Sequence, residues 1–125
     1  MPLVTILIED SATIRESLIP ALAEVADAQV AAIAETAAEG IAAMAALAGR
    51  WQLTIVDLFL REGNGIEVLR AAGAREAHQH ILVLTNFATA DIRRRALEAG
   101  ADGVFDKSTE VDLFFDRCRA YSEAG

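Results

Sequence analysis

Leu53-Thr54-Ile55-Val56-Asp57-Leu58-Phe59-Leu60, followed by Gly63-Asn64-Gly65, is the stretch that decides the fold. Leu53 to Val56 is a continuous apolar run with no polar residue facing out on alternate positions except Thr54, and it stops abruptly at Asp57. A strand apolar throughout belongs to a sheet covered on both faces, which is the habit of parallel sheets. Gly63-Asn64-Gly65 reads as a turn, and Ile66, Leu69 and Ala72 or Gly73 mark the helix after it.

The same unit recurs on either side. Val4 to Ile8 is an apolar run ending in Glu9-Asp10, and Ser11-Ala12-Thr13 supplies helix-start chemistry for Ile14, Leu18, Ala21, Leu22 and Val25. Val30 to Ala34 is a weaker strand, and Thr36-Ala37-Ala38-Glu39 reads as a capping box opening an alanine-rich helix to Gly49. Ile81 to Leu84 ends in Thr85, and a helix follows from Thr89 to Ala99, stopped by Gly100. Val104-Phe105 precedes Asp106-Lys107, and Ser108 or Thr109 caps a last helix carrying Val111, Phe114, Phe115, Cys118 and Tyr121. Five strands alternating with five helices predict an α/β fold, a doubly wound parallel sheet of order 2-1-3-4-5. The last helix ends near the end of the chain, so a single domain over 1–125 with no output domain is expected.

Composition narrows the function. With 125 residues and 54 % hydrophobic content the chain can bury a core. Its net charge of −8 argues against a nucleic-acid binder, which carries a basic footprint. No apolar run approaches the ~20 residues that span a bilayer. A lone cysteine, Cys118, permits no internal disulfide, and with no leader read at the N-terminus a cytoplasmic location is expected. Ten arginines stand against one lysine, Lys107, so the lysine invites a reason.

In a doubly wound sheet the strand ends share one edge, and ligands bind there, where strand order reverses. Glu9, Asp10 and Asp57 would converge on that edge, flanked by Thr85 and Lys107. Three carboxylates together need protons or a cation. Hard oxygen donors on an open edge favour Mg²⁺, which keeps several waters. Asp57 has nucleophile chemistry, because carboxylates form acyl phosphates. Lys107 supplies a mobile ammonium and Thr85 a hydroxyl. An acid after a strand is by itself ordinary loop chemistry; the joint placement carries the argument.

These motifs resemble the receiver domains of bacterial response regulators: Ile-Leu-Ile-Glu9-Asp10-Ser, Ile-Val-Asp57-Leu-Phe-Leu with Gly63-Asn64-Gly65, Val-Leu-Thr85, and Gly100-Ala-Asp-Gly-Val-Phe-Asp-Lys107. The likeness runs from Val4 to Tyr121. It implies that Asp57 accepts a phosphoryl group from a histidine kinase or a histidine phosphotransfer protein. It implies Mg²⁺ on Asp10, Asp57 and the backbone carbonyl of Phe59, with Glu9 acting through a metal-bound water. Thr85 and Lys107 would contact the phosphoryl oxygens. The chain is then a self-catalysed phosphoacceptor rather than a turnover enzyme, signalling by contact with a downstream protein. A relay intermediate and a phosphate sink use the same chemistry. A flavodoxin-like mononucleotide site is disfavoured because Glu9-Asp10 would repel phosphate. A haloacid-dehalogenase-type phosphatase would need a second acid where Phe59 stands. A pseudo-receiver is disfavoured by the complete set of site residues.

Three departures from the family pattern bear on output. Ser108 follows Lys107 where proline is usual, so a cis peptide there loses its ordinary basis. Arg61 replaces another common proline. Val104 occupies the usual position of a switch aromatic, with Phe105 beside it, so signalling is expected to pass mainly through the loop after strand four and helix four. Phe59 and Phe87 lie two residues after Asp57 and Thr85 and are expected to slow hydrolysis of an acyl phosphate. His78 and His80 read as an exposed pair, and Cys118 as packing. Arg93-Arg94-Arg95 reads as a solvated face, or as a partner for Asp106, Asp112 and Asp116 across a homodimer through helix four, strand five and helix five. Leu113, Phe114 and Phe115 exceed one narrow stripe and add to that surface.

Overall fold

Alternation of buried side chains explains why these strands read as unbroken apolar runs. In the computed structural model, which describes residues 2–124, Leu3–Ile8 forms β1 and Leu53–Val56 forms β3, with Ala28–Ala34 as β2, His80–Thr85 as β4 and Gly103–Asp106 as β5. They make one parallel sheet in the order β2-β1-β3-β4-β5. Ile6, Ile8, Val56, Ile81, Val83 and Val104 point to one face; Leu7, Leu53, Ile55, Leu82, Leu84 and Phe105 point to the other. Each face is covered, so both sets must be apolar.

The helices are Ala12–Ala26 (α1), Ala37–Ala46 (α2), Gly65–Ala72 (α3), Ala90–Ala99 (α4) and Val111–Ala124 (α5). Helices α2, α3 and α4 cover the face of Ile6 and Val104, contributing Met44, Val68, Leu69 and Ala96. Helices α1 and α5 cover the other with Leu18, Leu22, Phe114 and Cys118. The predicted fold class and strand order hold. Burial in β2 alternates, with Gln29, Ala31 and Ile33 exposed, so its first residues carry no continuous apolar signal.

Cys118 is fully buried, and burial pushes its thiol up to about 12. It packs, as expected.

Several local readings are corrected. Thr36 does accept from Glu39 N–H at 3.1 Å, but Glu39 returns its carboxylate to Glu35 N–H (2.9 Å), outside the box. The reciprocal capping box stands instead at Asn64 and Glu67, within the stretch read only as a turn. Ser108 and Thr109 act as donors to Asp106 Oδ1 in the turn before α5 (backbone 2.8 and 3.1 Å). His80 is the first residue of β4, stacked on Tyr121 at 3.9 Å between ring centres; only His78 is exposed. All peptide bonds among the described residues are trans, the one before Ser108 included.

Candidate phosphoacceptor site

The ladder between β1 and β3 pairs Ile8 with Val56, so the next residues, Glu9 and Asp57, leave the sheet side by side. The Asp57 N–H donates to the Ile8 carbonyl at 3.0 Å and fixes that juxtaposition. Carboxylate oxygens of Glu9, Asp10 and Asp57 all lie within 4.8 Å of one another. This is the point where strand order reverses.

On the other flank, β4 and β5 pair Thr85 with Asp106, and Lys107 N–H donates to the Thr85 carbonyl at 2.9 Å. The Lys107 side chain runs back across the edge. Its Nζ donates to Glu9 Oε1 at 2.6 Å and to Asp57 Oδ2 at 2.8 Å. All three side chains are 10 % exposed or less. Burial works against the Lys107 ammonium, but its bonds to Asp57 and Glu9 outweigh that and hold its pKa above the ordinary lysine value. Burial pushes the Glu9 carboxyl up, against the bonds from Lys107 and from Ser11 N–H. Asp10 forms no ion pair among the described residues. Three acids and one ammonium leave a surplus of negative charge that one divalent cation would balance, and the donor set suits a hard one.

The β3–α3 loop is built tightly. Gly65 N–H donates to the Leu58 carbonyl (3.0 Å), and Phe59 pairs with Asn64 in a one-residue antiparallel bridge. A side-chain carbon at Gly65 would sit 2.7 Å from the Asp57 carbonyl oxygen, so the helix can approach Asp57 only with glycine there. The backbone of Phe59 is thereby held beside the acids, with its N–H on Asp57 Oδ1 at 3.3 Å.

Phe59 and Phe87 are 53 % and 57 % exposed, and their rings meet edge to face with centres 4.9 Å apart. They come from the loops after Asp57 and Thr85, so the pair bridges the two sides of the site. Thr85 is fully buried, and its Oγ1 accepts from Phe87 N–H at 3.2 Å.

All sequence-predicted site residues come together on this edge. One group went unread: Glu35, directly after β2, completes a set of polar residues following all five strands. It pairs with Arg15 (3.1 Å) and Arg61 (3.5 Å), and Arg15 also donates to the Glu9 carbonyl at 2.7 Å. The sequence signal was available in Glu35, the one charged residue between β2 and Thr36.

Of the three adjacent arginines, Arg94 pairs with Asp91 and Glu98, and Arg95 with Asp91. Arg93 turns inward to Glu110 at 2.6 Å. The arginines are thus engaged within their own chain.

The family description "Response regulator receiver domain" matches residues 5–119. The chain therefore belongs to the response regulator receiver family, whose members work in two-component signalling. Comparison with curated proteins gives no match. Among solved structures, the receiver domain of HemR from Leptospira biflexa, in its non-phosphorylated form, is 28 % identical, with a TM-score of 0.79 over 98 % of this chain and 94 % of that one. A LuxR-family two-component response regulator from an Aurantimonas species is 22 % identical, with a TM-score of 0.85 over 99 % and 87 %. The receiver domain of a NarL regulator from Mycobacterium tuberculosis is 18 % identical, with a TM-score of 0.84 over 99 % and 98 %. The last two support the fold. No helix among the described residues is long and apolar enough to cross a membrane.

Proposed function

We propose that Asp57 is the phosphoacceptor of a Mg²⁺-dependent receiver, charged by a histidine kinase or a histidine phosphotransfer protein. A carboxylate oxygen of Asp57 attacks phosphorus, the bond from phosphorus to the donor imidazole nitrogen breaks, and the electron pair leaves with the imidazole. Asp10, Asp57 and the Phe59 carbonyl would hold the cation, with Glu9 one water away. The cation supplies charge neutralisation on the phosphoryl oxygens when bound. Lys107 would exchange its contact with Asp57 for one with the added phosphoryl group, and Thr85 would donate its hydroxyl there. The single observation that carries this reading is Lys107 Nζ at 2.6 and 2.8 Å from two members of the acid cluster.

Nothing in that chemistry calls for turnover of a substrate, and output is by contact with another protein. The Phe59–Phe87 pair would restrict water at the acyl phosphate, which favours a signal or relay over a phosphate sink. A second copy docking on α4, β5 and α5 would meet Leu113, 56 % exposed, rather than free arginines.

The test is phosphotransfer from candidate kinases, read by intact mass. Asp57→Asn is expected to abolish the label. Unchanged labelling of that variant would refute the reading.

A further inference from the structure

The residue that joins the two phosphoryl-facing loops is an arginine. Arg93 projects from the first turns of α4 and uses three different nitrogens on three different elements. Its Nε donates to the Ala88 carbonyl in the β4–α4 loop at 2.9 Å. Its Nη1 donates to the Val104 carbonyl on β5 at 3.1 Å, and its Nη2 to Glu110 Oε1 before α5 at 2.6 Å. That carboxylate oxygen also accepts from Asp106 N–H at 2.9 Å, next to Lys107. The Arg93 guanidinium, with the Asp106 N–H, holds the Glu110 carboxyl below the ordinary glutamate value.

The connections form a circuit. Thr85 Oγ1 is bonded to Phe87 N–H, and the Phe87 carbonyl to Thr89 N–H (2.9 Å). Ala88 lies between them and is tied to Arg93. Arg93 leads to Glu110, Glu110 to Asp106, and the following residue is Lys107, which ends on Asp57. A phosphoryl group on Asp57 would give both Thr85 and Lys107 a new partner. Either change pulls on a loop that Arg93 holds.

Aromatic packing offers no such link at strand five. Val104 is buried on the α4 face. The Phe105 ring lies on the opposite face of the sheet, 5.9 Å from Phe114, with the Arg117 guanidinium 5.7 Å from it. A ring on that side cannot follow the β4–α4 loop without crossing the sheet.

We propose that Arg93 is a positioning residue that couples the Thr85 loop to the Lys107 strand end, so that occupancy at Asp57 reaches the start of α5 through the Arg93–Glu110 pair. The inference rests on the phosphoacceptor reading and names the route its output takes. A planar guanidinium can address a carbonyl on each side and a carboxylate at once; an ammonium on a flexible stem cannot hold all three directions. A demonstrated coupling, not spatial intermediacy, is what such a route requires.

The experiment is amide chemical-shift mapping of the full chain with Mg²⁺ and beryllofluoride as the phosphoryl mimic. The forms compared are wild type, Arg93→Gln, Arg93→Lys and Glu110→Gln. In the wild type, shifts are expected at 57–61 and 85–89 and onward through 104–114. In all three variants the first two groups should persist while the shifts at 110–114 are lost. Failure of Arg93→Lys to restore them separates geometry from charge alone. Thermal melts identify any variant that is unfolded, and the nearly isosteric Glu110→Gln then decides. Site shifts with an undiminished response at 110–114 in Glu110→Gln and in the folded Arg93 variants would overturn the coupling alone. So would a wild type whose site responds and whose α5 does not. A wild type with no shift at 57–61 would overturn the phosphoacceptor reading, and this inference with it.

Discussion

At the edge where the strands begin, Asp102 accepts from Ile81 N–H at 2.8 Å and from Arg75 at 3.0 Å, while Gln52 accepts from Val4 N–H at 2.9 Å and Gln79 donates to the Trp51 carbonyl at 3.1 Å. At the edge where the strands end, Glu9, Asp10 and Asp57 crowd within 4.8 Å around one ammonium. Both edges are polar, and both contain a carboxylate in contact with a cation. The difference lies in what is left over. Asp102 is matched by an N–H and a guanidinium in fixed positions, so it latches the sheet. The acids at the other edge outnumber their partner, so that edge keeps an unmet demand for positive charge. A matched carboxylate stabilises; an outnumbered cluster is ready to bind.

The largest expected effect comes from removing the lysine. Lys107→Met should lower metal-free stability by on the order of 3 kcal/mol, as expected for breaking a buried ion pair. Added Mg²⁺ should recover part of that loss in a denaturant titration. A Lys107→Met chain as stable as the parent without Mg²⁺ would erase the distinction between the edges. Asp102→Ala should cost about 1–3 kcal/mol, because it strands the buried Ile81 N–H. Phosphotransfer to Asp57 should be untouched by it. A loss of labelling at constant stability would show the latch to be part of the site.

A smaller change is expected from opening the aromatic pair. Phe59→Asn with Phe87→Glu should hydrolyse the acyl phosphate several-fold faster, an effect below about 1.4 kcal/mol on the barrier. A label that decays no faster would show that the rings do not restrict water. The smallest effect is the pH dependence of His80. Burial lowers its pKa below 6.5, with Asp102 opposing and Arg75, Arg117 and His78 adding to the shift. The unfolded chain takes up this proton near pH 6.5 and the folded chain only below it. Its contribution to stability is therefore full above 6.5 and is lost as pH falls from there through the folded value. His80→Phe keeps a ring against Tyr121 and should flatten that slope in melts followed across the window.

Strand order and the acid–lysine site were legible because both follow from apolar runs that stop at charged residues. The cause is the two-sided burial of β1, β3 and β4, which keeps Asp, Glu, Lys and Arg out until the chain leaves the sheet. Strand β2 exposes every second residue and lacks that constraint, so its start at Ala28 and the meaning of Glu35 were not legible. Asp102, Gln79 and Arg75 look like loop residues in sequence, since their partners are backbone groups 21 to 28 positions away. Arg93 was hidden for the opposite reason. Three arginines in a row look like one solvated face, yet a helix turns each about 100° from the last, and Arg93 alone contacts β5.

The sealed thiol of Cys118 makes the chain a convenient instrument. A group whose pKa is about 12, in the core, offers almost no thiolate at neutral pH and no path to a reagent. It is also the single cysteine of the sequence. A cysteine introduced at an exposed position of α4 or α5 would therefore be the sole reactive handle. A spectroscopic probe could be attached there without first stripping the native sulfur, and the movement of each helix could be followed one site at a time.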